Sequence, residues 1–326
     1  MALLLNCSLL TYTLLAYGLG IGLLVQLPWI LNLLGALLLL HGLVLSALAT
    51  HELIHSNLFK QHWANGVAGR LMTHLNGACY APYADLVQHH LNHHIHHADF
   101  VPFEMGAFFA ALPPWLRRVC VALEWAYFPW LEFWLRWRLM VAAFTNPEKA
   151  PFRGHTVLLL LYRGGLFALL GWVSPKALVL YGLVYVAFVN LMRFADAFHH
   201  TYDYVVMGAE FPKRDRVYEQ THTFSNVVSK RYAWLNLLYL NFGYHNAHHH
   251  DIRCPWHQLP QLHQRLYGDE AKQLLPLPQL VSNYHRFRLD RLFGGQGQVA
   301  AAAMAEMKDG CLDFTGGIGV SLLTPP

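Results

Sequence analysis

Residues 2–25, ALLLNCSLLTYTLLAYGLGIGLLV, carry no charged side chain. A helix crosses the hydrocarbon core of a bilayer with about 20 residues, so a run of this kind reads as a membrane span. A second uncharged run follows at 30–50, and two further predominantly apolar runs follow at 156–173 and 177–198. Only QLPW separates the first two and only SPK the last two, which predicts tight reversals and two transmembrane hairpins. The first run lacks the basic start and small-residue cleavage site of a signal peptide. Charged residues make up 13% of the chain, against about 25% in an average soluble protein, and this too points to lipid.

Two hairpins place the N-terminus, residues 51–155 and everything after 198 on one side. The short loops at 26–29 and 174–176 hold only Lys176, and nearly all other Lys and Arg outside the spans lie on the opposite side. That side is therefore expected to be cytoplasmic. Region 105–145 mixes Trp and Phe with Arg and Glu, the composition of helices lying in the interface. A fifth span at 119–143 is the alternative and would break the parity. The tail 294–326 is expected to be a flexible extension of a 1–293 domain. The fold expected is thus an all-α integral membrane protein, with four transmembrane helices in two hairpins and a cytoplasmic helical cap. A formal net charge of +4 without a dense basic block argues for no nucleic-acid partner.

The chain has 22 histidines, and the clustered ones all fall on the expected cytoplasmic side. HELIH places His51 and His55 one helical turn apart on one face. HHLNHHIHH, at 89–97, contains the spacing H-x-x-H-H twice, as His90, His93, His94 and as His93, His96, His97. NFGYHNAHHH, at 241–250, contains it again as His245, His248 and His249. At the end of the fourth run, DAFHHTYD sets Asp196 four residues before His200, with His199 adjacent. An ionisable Asp so deep in an apolar helix reads as functional, orienting an imidazole or holding a metal-bound water. His41, in mid-span, is about 15 Å along the helix from His51 and is expected to be a hydrogen-bonded structural residue. His62, His74, His155, His257, His263 and His285 lack ligand spacing, and His222 is an intermediate case.

One register per cluster yields nine histidines, too many for one ion and economical for two. The five cysteines are scattered, with no C-x-x-C pair, so any metal is held by nitrogen and perhaps oxygen. H-E-x-x-H also opens zinc metalloproteases, but that reading leaves the other clusters unexplained. Imidazole alone does not select the element. A dinuclear all-histidine site beside apolar helices suits oxidative attack on an unactivated C–H bond of a lipid, which calls for O2 and redox iron.

The order H-x-x-x-H, H-x-x-H-H, H-x-x-H-H over roughly residues 30–270 resembles the membrane fatty acid desaturase and hydroxylase superfamily. The resemblance implies two Fe ions held by the boxes. It also implies one further histidine preceded by a polar residue four positions earlier, a pattern that Asp196 and His200 match; desaturases often carry Asn at the polar position. Acidic residues follow the second box in similar proteins, which favours His90, His93 and His94 here, since HADF follows. The implied ligands are His51, His55, His90, His93, His94, His200, His245, His248 and His249. The implied partners are a lipid or acyl substrate and a separate electron donor of ferredoxin, rubredoxin or cytochrome b5 type, since no cytochrome b5-like haem motif is fused to the chain.

The leading expectation is an O2-dependent di-iron desaturase. A related hydroxylase or ketolase acting on lipid, hydrocarbon or carotenoid is its closest alternative. A histidine-rich metal transporter belongs to another class, but transporters place ligands near the bilayer midplane, where only His41 lies. A non-catalytic scaffold would require the box spacing to be accidental.

Overall fold

A computed structural model describes residues 2–268, 273–293 and 314–317. Four helices are long and apolar enough to cross a membrane: α1 (Ala2–Leu24), α2 (Trp29–Ile54), a helical stretch Pro147–Val173, and a last one at Pro175–Ala197. Between α2 and the third of these lie α3 (His62–Asn76), α4 (Tyr83–His96), strand β1 (Asp99–Val101), α5 (Met105–Ala111), α6 (Pro114–Trp125) and α7 (Trp130–Thr145). The third and fourth apolar helices contain α8 (Arg153–Val173) and α9 (Pro175–Ala197). Strand β2 (Tyr204–Val206), α10 (Arg216–Thr221), α11 (His245–His250), α12 (Leu259–Tyr267), α13 (Leu277–Arg286) and α14 (Asp290–Phe293) follow.

Small residues let α1 and α2 lie against each other in opposite directions. A Cβ on Gly20 would sit 2.8 Å from Leu39, and one on Gly42 would sit 2.9 Å from the backbone nitrogen of Tyr17. Such close backbone approach is how helices gain packing in lipid, where no hydrophobic drive brings them together. The C-terminal half of α2 is enclosed, every residue from Gly42 to Ile54 being buried. By contrast, α8 exposes Leu158, Leu161 and Trp172.

Residues 119–143 are not one helix. Helix α6 ends at Trp125, Tyr127 takes a positive φ of 59°, and α7 begins only after Pro129. Proline lacks the amide a continuing helix would need, so the alternative fifth span is broken at its middle. These helices are tied to α9 by buried ion pairs. Arg193 lies 3.0 Å from Glu124 and 4.0 Å from Glu132.

The apolar segment Ala233–Tyr239, a 3-10 helix, packs back against α2. His41 Nε2 donates to the Leu238 carbonyl at 3.1 Å and its Nδ1 accepts from the Tyr12 hydroxyl at 2.8 Å, the structural role expected of it. Of the expected tail 294–326, only 314–317 are described. Phe314 is buried between Phe198 and Phe224, and the Gly317 amide donates to the Ala197 carbonyl.

Candidate metal centre

Helix α2 ends in HELIH, and its last turn presents His51 with His55 as the C-cap. Helix α4 stops at His96 because His97 adopts a left-handed conformation, φ 50°. The chain then leaves as β1 and pairs in parallel with β2, Asp99 opposite Tyr204. This pairing sets the end of α4 beside the segment after α9 and thereby brings His93 to His200. Helix α11, less than two turns long, carries His245, His248 and His249. Its Asn246 joins it to the 223–225 segment, the Ser225 hydroxyl donating to Asn246 Oδ1 at 3.0 Å.

One ring nitrogen from each of His51, His55, His90, His94 and His248 lies within 4.8 Å of the others. His93, His200 and His249 form a second such group, and His94, Glu219 and His249 link the two. His245 joins the second group through His200, Nε2 to Nε2 at 2.8 Å. All nine histidines singled out from the sequence are thus brought together, and each group could hold a metal ion. His96 and His97 are left outside, His96 packing on Phe211. His199 stacks on His245 with centroids 4.0 Å apart and bonds Asn226 at 2.7 Å. His222 stacks on Tyr218, away from both groups. Asp196 belongs to neither group, though its charge reaches His93.

The inward and outward faces of these rings differ. His51 Nδ1 bonds Glu52 at 3.2 Å, His93 Nδ1 meets Asp99 at 3.0 Å, and His249 Nδ1 meets Glu219 at 3.0 Å. A carboxylate on the outer nitrogen fixes the tautomer and leaves the other lone pair free, the usual support of a metal-bound imidazole. On the inner side, His51 Nε2 and His249 Nε2 are buried without a hydrogen-bond partner. Inner nitrogens also face one another closely, His55 to His90 at 2.9 Å and His93 to His200 at 3.2 Å. Lone pairs so placed, at this cost in unmade hydrogen bonds, suit shared cations.

Electrostatics agree. Burial holds His90, His94, His200, His245, His248 and His249 well below the usual imidazole range, with neighbouring histidines adding to it. Burial likewise takes His55 down to about 3. Neutral imidazole is the ligating form. His93 is the exception: burial lowers it, but its bond to Asp99 and that carboxylate's charge outweigh burial and raise it. Burial pushes Glu219 up to about 7.

Sequence reasoning used the acid of HADF, Asp99, only to choose the register of the second box, and it did not single out Glu52, Glu219 or Asn226. Glu52 and Asp99 were legible in principle, as the acids inside HELIH and HADF. Glu219 stands far along the chain from any box and carried no local signal.

A family model described as fatty acid desaturase matches residues 27–280. No curated protein and no solved structure matches the chain.

Proposed function

The chain belongs to the fatty acid desaturase family, and from that membership we propose that it is an O2-dependent di-iron oxidoreductase that desaturates a fatty acyl chain or similar lipid. The observation that carries the reading is the convergence of nine buried or half-buried imidazoles in two groups, backed by three carboxylates. One iron would be held among His51, His55, His90, His94 and His248, the second among His93, His200, His245 and His249. When bound, iron supplies the one-electron chemistry by which O2 oxidises an unactivated C–H bond.

The chain's own residues do the rest. Glu52, Asp99 and Glu219 accept the outer N–H of three rings and so aim their inner nitrogens. Phe242 against His51 and Tyr202 against His200 seal the groups from bulk water. The groups form at the ends of α2 and α9 and not in mid-span, which favours an enzyme over a transporter. We place the four spans in two hairpins, with this face and a cap built on it in the cytoplasm. A separate electron carrier of ferredoxin, rubredoxin or cytochrome b5 type docks there.

Hydroxylation or ketone formation uses the same ligand set and is the second reading. Expression in a host of known lipid composition, followed by mass spectrometry of its lipids, hydrocarbons and pigments, decides between them. Products that have lost two hydrogens support desaturation, and products that have gained an oxygen atom support hydroxylation.

A further inference from the structure

A lipid must reach the imidazoles for the proposed reaction, yet eight of the nine are buried and only His55 is partly exposed. His55 lies in the wall of a cavity of about 1030 Å³, where the start of α1, the 54–62 turn, α4 and the 252–255 turn meet. The walls are cross-linked. Asn6 Nδ2 donates to the Leu58 carbonyl at 2.9 Å, Asn57 Nδ2 donates to the Ile252 carbonyl at 2.9 Å, and Trp256 Nε1 donates to Asn6 Oδ1 at 2.9 Å. The apolar groove near Tyr17, Leu71 and Phe167 has none of the nine histidines in its wall.

The cavity has two chemical zones. Ile54, Leu58, Val87 and Leu91 give an apolar path beside His55, while the exposed Lys60 and Arg253 add positive charge to the lining. No Asp or Glu lines it. Among the described residues neither Lys60 nor Arg253 takes part in an ion pair. Because Ala2 and Leu3 of the first span also line it, the cavity opens where α1 begins. An apolar path with unpaired cations at its mouth fits an amphiphile with a negative head, since charge-assisted hydrogen bonds form there. A neutral hydrocarbon or pigment would gain nothing from either cation.

We propose that this cavity receives a single-chain acyl amphiphile with an anionic head, a carboxylate or phosphate, held by Lys60 and Arg253 while the chain runs along Leu58 and Leu91 toward His55. Its place in a reaction rests on the oxidative reading above; binding does not.

The test uses the full chain in zwitterionic nanodiscs, with iron content measured, and spin-labelled stearate, its methyl ester and a spin-labelled lysophosphatidate as probes. The acid and the phosphate should bind roughly tenfold more tightly than the ester. Lys60→Gln combined with Arg253→Gln should abolish that preference and leave ester affinity and iron content unchanged. Leu91→Trp, which narrows the apolar path, should weaken all three probes at unchanged iron content. Equal affinities in the wild type, a preference that survives the double substitution, or full binding by Leu91→Trp at wild-type iron content would each overturn the assignment. Turnover is followed in parallel. Charge-dependent binding without oxidation of any lipid upholds the cavity and removes the oxidative reading. Oxidation of neutral hydrocarbons with no charge preference in binding does the reverse.

Discussion

His249 Nδ1 and Glu219 Oε1 lie 3.0 Å apart, thirty residues distant in sequence and both buried. The carboxylate takes the outer N–H, so the inner nitrogen, which has no other partner, is aimed at both histidine groups. Removing such a support commonly costs about 10–100-fold in metal affinity or activity. Glu219→Ala should therefore lower iron retention and product formation by about that factor, with expression and detergent-extracted yield unchanged. Glu219→Gln, which can still accept from Nδ1, should recover part of the loss. Wild-type iron affinity in Glu219→Ala would refute a supporting role.

The second box sets a register test. His90 and His94 belong to the first group while His96 packs on Phe211 and His97 caps the helix. His90→Ala and His94→Ala should abolish turnover and bound iron. His96→Ala and His97→Ala should keep most of both. Dead His96 and His97 variants beside an active His90→Ala would move the ligands to His93, His96 and His97.

Metal content follows from the ligand count. Purified protein should hold about two iron atoms per chain, and chelation should lower its melting temperature, because a ligand present at 100 times its Kd stabilises by about 2.7 kcal/mol. Re-addition of Fe(II) should restore the transition. Stoichiometric zinc in an active preparation would exclude redox iron.

Sidedness is checked with reporters. The proposed topology puts an even number of spans before Asn146 and Pro326, so a reporter inserted near the first and one fused after the second should both be cytoplasmic. An exterior signal at either would mean that part of α5–α7 crosses the bilayer.

Much of this was legible in local pattern. Predominantly apolar runs long enough for a bilayer mark the four apolar helices, because the solvent-free core admits few alternatives to a continuous helix. Spacings of three and four residues mark ligand faces, because the helical repeat puts those side chains together whatever else surrounds them. Hence His51 with His55, and His245 with His248 and His249, could be paired from the chain alone.

Contacts between distant segments follow no such period. The choice of His90 over His97 depends on a left-handed residue and a two-stranded pairing between Asp99 and Tyr204. Glu219 reaches His249 only because α10 and α11 pack together, and Ala233–Tyr239 meets His41 only through the fold. The sequence by itself determined the four long apolar helices and the imidazole faces, since both are encoded in local pattern along one segment. The tertiary structure alone decided which carboxylates support those rings and that His55 opens on a cavity with Lys60 and Arg253 in its wall, since these rest on long-range packing and hydrogen bonds such as Asn57 to Ile252.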